Sequence, residues 1–362
     1  MALIDSEGFG FSTTAADYAT YGRFIFQNGT TGNYNEPAVS IATNGPLGDN
    51  YMSYDSGPTY GAVGSGGRVL RPVPTPGPEL FVGFRMNLVA ATSNKVLGVA
   101  FMDASGNEQC SVLFNALGAA VLCQGNGSTV LASSAASVIA AGSWVYVEIG
   151  VTIGVSSGAM TVRVAGTAVA SVSGANTQTG QFTAAGATTS SIAFTAFANE
   201  AAAEIAHFYV CDNTGPAPCN SFLGDVRVQC LLPVSNDAVA FTPNGLANNW
   251  QNAASVPPVP AADYNSGTAV GATDTFNTGT LSASLGVIYA LNVKSLLSKS
   301  DAGARTAACV VKSGTTTAAA TSANVGTSPA VVSGIFPTDP NTGGAWSNAA
   351  AAAAKVGYSI TA

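Results

Sequence analysis

Between Glu79 and Val210 the chain repeats one pattern, a short run with an apolar residue at every second position, closed by a turn of Gly, Asn, Asp or Ser. The segment Gly142-Ser-Trp144-Val-Tyr146-Val-Glu148-Ile-Gly-Val shows it best. A period of two places Trp144, Tyr146 and Glu148 on one face of a strand and Val145, Val147 and Ile149 on the other. Phe81–Leu88, Val96–Met102, Gln109–Phe114, Ser191–Phe197 and Ile205–Val210 read the same way. Asp103–Asn107 is a Gly-bearing turn between two of these runs, Ala119–Cys123 pairs with Ser128–Ala132, and Met160–Val164 folds back on Thr167–Val172 around Ala165-Gly166. No helical period intervenes, so the expectation is a β-sandwich rather than βαβ units.

The flanks are less regular. Arg23–Phe26 predicts a strand ending in an Asn28-Gly29 hairpin turn, and Pro72–Pro78 a stiff connector. Gly61–Gly67 lacks the Lys-Ser/Thr ending of a phosphate cradle. Beyond Asp212 the texture changes. Gly224–Leu232 predicts a strand, Asn244–Ala262 an irregular stretch around Trp250 and Pro257-Pro258, and Thr273–Phe276, Val287–Val293, Ala307–Lys312, Ala330–Phe336 and Val356–Thr361 further strands. Asn348, followed by six alanines, predicts the N-cap of one short helix. The expected fold is all-β: two β-sandwich domains, residues 1–221 and 222–362, with helix confined to short pieces.

Charge narrows the function. Only 9% of the 362 residues are charged, against roughly 25% in ordinary soluble domains. With 12 Lys and Arg and a net charge of −7, no basic run is available to neutralise a phosphate backbone, so nucleic acid is not an expected partner. Met1-Ala-Leu-Ile-Asp-Ser-Glu has no cationic leader, which predicts synthesis in the cytoplasm without a signal peptide. Ala132–Ala141 is too short and too rich in Ser for membrane insertion. The six cysteines (Cys110, Cys123, Cys211, Cys219, Cys230 and Cys309) form no CxxC pair and read as buried free thiols, with a Cys211–Cys219 disulfide as the alternative.

Candidate chemistry is sparse. His207 is the single histidine and has no G-x-S-x-G elbow nearby, so it reads as a hydrogen-bonded strand residue. Glu148 has no second acid on its strand, where a glycosidase needs a partner carboxylate. Asp103, Asn107 and Glu108 fit a hairpin turn better than a calcium loop, which needs more oxygen donors. No cofactor is expected and no catalytic or metal residue is assigned; the chain reads as a non-enzyme. Trp144 and Tyr146 are the candidate glycan platform, and Trp250 the candidate interface anchor.

Two resemblances add to this. Gly142-Ser-Trp144-Val-Tyr146-Val-Glu148-Ile, followed by the hairpin Thr161-Val-Arg-Val-Ala-Gly166, is similar to the laminin-G/concanavalin A-like jelly roll, which implies that fold for the first domain. Phe222-Leu-Gly-Asp225-Val-Arg227-Val, Asn248-Asn-Trp250, Asp263-Tyr264, Gly271-Ala-Thr-Asp274-Thr-Phe276, Lys299-Ser-Asp301-Ala-Gly303-Ala-Arg305 and Pro340-Asn-Thr-Gly343-Gly-Ala-Trp346 resemble, in order, segments of phage virion and tail proteins. That resemblance implies a structural component of a bacteriophage particle (appendage, fibre, collar or decoration protein) that assembles with copies of itself and with other virion proteins. The alternative is a receptor-binding, lectin-like phage protein that recognises a host surface polysaccharide.

Overall fold

The computed structural model describes residues 3–21, 24–27, 38–55, 68–90, 96–125, 127, 129–178, 186–197, 202–215, 217–282 and 286–362. The Asn28-Gly29 turn and the Gly61–Gly67 loop lie outside them. The chain divides into two compact units, Met1–Phe9 with Arg23–Val228, and Gly10–Gly22 with Gln229–Ala362. The sequence places the boundary at 221/222. The structure keeps 222–228 with the first unit and gives the N-terminal excursion 10–22 to the second.

The first unit contains β1 (Leu3–Glu7), β2 (Ile25–Gln27), β3 (Ala38–Ala42), β4 (Tyr51–Asp55) and β5 (Arg68–Gly77). It continues through β6 (Glu79–Ala90), β7 (Val96–Met102), β8 (Glu108–Phe114), β9 (Ala120–Gln124) and β10 (Thr129–Ser133). Last come β11 (Val145–Thr152), β12 (Gly158–Val164), β13 (Thr167–Ala175), β14 (Thr189–Phe197) and β15 (Ala202–Asp212). One sheet runs β13-β12-β11-β6-β15-β4-β3, with β1 also on β15; the other runs β10-β9-β8-β7-β14-β5-β2. Every described pairing is antiparallel, as in a jelly roll. The period-two reading of β11 holds: Val147 and Ile149 face Phe84 and Val82 of β6, all four fully buried. Edge-to-face rings fill the core, with Phe84–Phe194 centroids at 5.7 Å and Phe194–Phe208 at 5.9 Å. Ala165 and Gly166 take positive φ (47° and 81°), the two-residue hairpin turn that the strand twist favours.

The prolines at 72–78 do not make a connector; most of them lie in β5. Among the described residues β2 pairs only with Arg68–Leu70, and no strand flanks that side of β5 beyond Leu70. On its other side the register to β14 shifts between Pro72 and Gly77, where a missing N–H costs no ladder bond.

The second unit contains α1 (Ala15–Thr20), β16 (Pro233–Ala238), β17 (Thr242–Asn244), α2 (Asn249–Ala253), β18 (Tyr264–Ser266) and β19 (Thr273–Thr278). It ends with β20 (Leu291–Leu297), β21 (Thr306–Ser313), β22 (Thr316–Ala319), β23 (Ala323–Asn324), β24 (Ala330–Phe336), α3 (Asn348–Ala353) and β25 (Lys355–Ile360). The main sheet runs β16-β19-β25-β21-β22, with β23 also on β21; β17–β18 and β20–β24 are separate ribbons. Cys309, Val311, Val332, Phe336, Trp346 and Ala351 form its apolar cluster. The cap of α3 is Ser347, one residue before the expected Asn348: its Oγ accepts the Ala350 N–H at 3.1 Å. The stretch expected to be irregular holds α2, whose first turn is fixed by Gln251 Oε1 accepting the Asn248 N–H at 3.1 Å.

Candidate functional site

Gly224–Leu232 forms no strand. Residues 222–228 instead cross one face of the larger sheet as a strap whose amides bind side chains rather than a neighbouring strand. Gly224 N–H donates to Glu148 Oε1 at 2.8 Å, Leu223 N–H to the Tyr209 hydroxyl at 3.1 Å, and Val228 N–H to His207 Nδ1 at 3.3 Å. Asp225 takes Arg85 in a two-point ion pair (3.1 and 2.6 Å), and Arg227 takes Asp49 in another (2.6 and 3.0 Å). Phe222 stacks edge-on to Phe81 at 5.0 Å and lies under the Arg163 guanidinium at 5.0 Å. Gly150 makes room for it: a Cβ there would stand 2.7 Å from the Phe222 ring.

Beneath the strap Glu148 is fully buried. Its Oε1 also accepts the Tyr209 hydroxyl at 2.8 Å, Tyr146 donates to Tyr209 at 3.3 Å, and Arg163 Nη1 lies 3.5 Å from Oε2. Burial pushes both tyrosine hydroxyls well above the usual phenol range, and the Glu148 charge adds to it at each. Both therefore stay neutral donors. Gly83 opens the slot the two rings occupy, since a Cβ there would overlap Tyr209 and stand 2.7 Å from the Tyr146 hydroxyl.

His207 sits where the neighbour of β15 changes from β4 to β1, at a bulge against β6. Its φ of 54° is a left-handed conformation that is strained for a non-glycine residue. With Nδ1 accepting the Val228 N–H, the proton belongs on Nε2, 3.2 Å from the Pro46 carbonyl and 3.7 Å from Asp49 Oδ2. Burial holds its pKa below the ordinary imidazole value, partly offset by Asp49. It is a hydrogen-bonded strand residue, as the sequence suggests, and it also pins the strap to the sheet.

The expected glycan platform is only half present. Tyr146 is buried with its hydroxyl against Tyr209, which removes it from any exposed surface. Trp144 is half-buried and meets Tyr51 edge-to-face at 5.4 Å. Beyond the strap the same face carries Arg85, Asn87, Tyr51 and Glu204, all half-buried. Asn87 opposes Glu204 across β6 and β15 and donates to it at 2.9 Å; the Tyr51 hydroxyl also bonds Glu204. Sequence reading missed Tyr51 and Glu204 because their strands pair across long sequence distances.

Trp250 is half-buried on α2, its N–H donating to Asn236 Oδ1 of β16 at 2.9 Å. Asp103 accepts N–H groups of Ser105, Asn107 and Gly186, which points donors at the place a calcium ion would need and makes the loop a pinned hairpin. No group of three or more His, Cys, Asp or Glu side chains suited to a metal occurs among the described residues, and no described helix is long and apolar enough to cross a membrane. The six cysteines are free thiols, five buried and Cys230 exposed, contrary to uniform burial. Burial raises Cys123 and Cys309 to about 11.

No family model matches the chain, and no curated protein does. Solved structures do. A galectin-like protein of unknown function from Bacillus subtilis aligns at 11% identity and TM-score 0.38, covering 58% of this chain and 96% of that one. An endo-1,3-beta-glucanase from Streptomyces sioyaensis aligns at 13% and 0.39, covering 58% and 95%. Lectin I from Ulex europaeus, in complex with the methyl glycoside of alpha-L-fucose, aligns at 11% and 0.32, covering 52% and 96%. These are likenesses of fold alone. They correct the reading of the chain as a non-enzyme: proteins with this sandwich include a glucanase, so neither the fold nor a missing sequence motif excludes catalysis.

Proposed function

We propose that the chain is a structural component of a bacteriophage virion that assembles with itself and with other virion proteins through its second unit. The supporting observation is where apolar surface is left uncovered. Val234 (48%), Val239 (50%), Val270 (68%) and Val287 (71%) are exposed in the second unit, with Leu232, Leu246, Val256, Val259 and Tyr264. The longer first unit exposes fewer: Ile25, Leu47, Leu117, Val130 and Val155 among the described residues. Leu232, Val234 and Val239 lie on or beside β16, an end strand that among the described residues pairs on one side only, with β19. A one-sided strand flanked by apolar side chains suits addition of a strand or loop from another chain. Trp250, bonded to β16 through Asn236, borders that edge and retains the anchor role the sequence suggested.

Light scattering on the full chain tests this. The wild type is expected to be oligomeric at micromolar concentration, and Val234→Asp/Val239→Asp to shift it toward monomer with an unchanged circular dichroism spectrum. Mass spectrometry of particles from the encoding phage should detect the chain. A wild type that stays monomeric and is absent from particles overturns the proposal.

A further inference from the structure

We propose that the open end of the larger sheet's outer face, built on Trp144, Tyr51, Asn87 and Glu204, is a binding site for neutral glycans. The inference is independent of assembly through the second unit.

The strap divides this face. It covers Phe81, Glu148 and Arg163, pairs Asp225 with Arg85, and runs on to His207 and Asp49. The rest stays half-exposed and holds the two kinds of group a sugar needs. Trp144 and Tyr51 brace each other edge-to-face at 5.4 Å, which fixes an aromatic surface for the C–H face of a pyranose. Glu204, Asn87 and the Tyr51 hydroxyl are tied together, so acceptor and donor positions are set before a ligand arrives and little ordering entropy remains to be lost.

Charge sets the class of sugar. Arg85 is the cation of this face nearest the patch, and Asp225 occupies it at two points, so its charge is already matched. Glu204 is bonded only to neutral partners, Asn87 and Tyr51. A uronate or sialate would bring a second negative charge beside it with no unmatched cation on this face among the described residues, whereas a neutral hexose meets no such penalty.

The test is affinity electrophoresis of the full chain in gels containing dextran, mannan, galactan or alginate, followed by an array of neutral and acidic bacterial surface glycans. At least one neutral glycan should retard or bind the wild type and quench tryptophan fluorescence. Trp144→Ala and Tyr51→Ala should each weaken that binding at least tenfold with unchanged circular dichroism, while Trp144→Phe should retain part of it. Glu204→Gln should narrow the gap between neutral and acidic glycans. Binding to no neutral glycan, binding that survives Trp144→Ala, or a preference for alginate each overturns the proposal.

Discussion

The two units bury polar chemistry to different ends. In the first, large rings fill the space between two sheets, and the buried polar groups Glu148 and His207 lie outside that core, holding a strap against an outer face. In the second, a polar hub takes over part of the core's work. Asp274, fully buried on β19, accepts the N–H groups of Ala240 and Phe241 with one oxygen, and the Asn249 amide and Tyr358 hydroxyl with the other. Asn265 extends the network to Tyr358 and to the Asn249 carbonyl. One carboxylate thus ties β19 to the 240–241 turn, to α2 and to its neighbour β25. A unit short of large apolar side chains can order its loops this way, but each such loop then depends on one acceptor.

That contrast can be broken by substitution. Asp274→Ala strands several buried donors at once and should cost the second unit about 3–5 kcal/mol. Phe194→Ala opens a cavity between the sheets of the first unit and should cost about as much. The rescues differ. Phe194→Leu should recover much of the loss by restoring volume, whereas Asp274→Leu should recover none, since it supplies no acceptor. Urea unfolding of the full chain, followed by hydrogen exchange resolved to each unit, reads both. An Asp274→Leu chain as stable as the wild type would mean that packing, not the hub, holds the second unit.

The strand framework was legible because its signal is local. β7 and β24 fall at the bounds read from sequence, and β11 sets Val147 and Ile149 opposite Phe84 and Val82, on one face as expected. What escaped reading depends on partners far along the chain. Gly224–Leu232 has the composition of a strand, yet the amides of residues 223, 224 and 228 are taken by Tyr209, Glu148 and His207, groups that alternation cannot place. The boundary moved for the same reason, because the ion pairs of Asp225 and Arg227 join that segment to β6 and to Asp49. Tyr146 looked like a surface ring since period two reports a side chain's face, not what covers it. Of the four residues of the candidate site Trp144 was visible; Tyr51, Asn87 and Glu204 were not, as they meet only through the β6–β15–β4 pairing.

The strap supplies a finer test of how the first unit uses its outer face. Gly83→Ala pushes a methyl group into the Tyr209 ring and toward the Tyr146 hydroxyl, so the ring pair must shift and loosen its hold on Glu148. The expected loss is about 2 kcal/mol, with a changed near-ultraviolet tyrosine signal. Gly77→Ala is the control: its Cβ would meet nothing closer than 3.8 Å, so its effect should stay within about 0.5 kcal/mol. Equal effects at the two positions would mean that the tyrosine slot is not tightly packed.

The smallest expected effect is a pH dependence at His207. Burial lowers its folded-state pKa below the ordinary 6.5; Arg85 acts in the same direction, while Asp49 and the carbonyls of Pro46 and Val228 oppose it. The unfolded chain therefore binds a proton that the folded chain resists. The stabilisation is complete above about pH 6.5 and is lost as pH falls toward the folded value. Protonation also places an N–H on Nδ1, so its partner on the strap changes from the Val228 N–H at 3.3 Å to the Val228 carbonyl at 3.4 Å as the ring charges. The wild-type unfolding midpoint should fall modestly between pH 6.5 and 5, relative to a His207→Gln variant that keeps a polar group but no titration in that range. Because other carboxylates lie near this segment, the difference between the two proteins is the measurement rather than either slope alone. Parallel slopes would show that His207 does not couple the strap to pH, and a midpoint that rises on acidification only in the wild type would show that Asp49 outweighs burial.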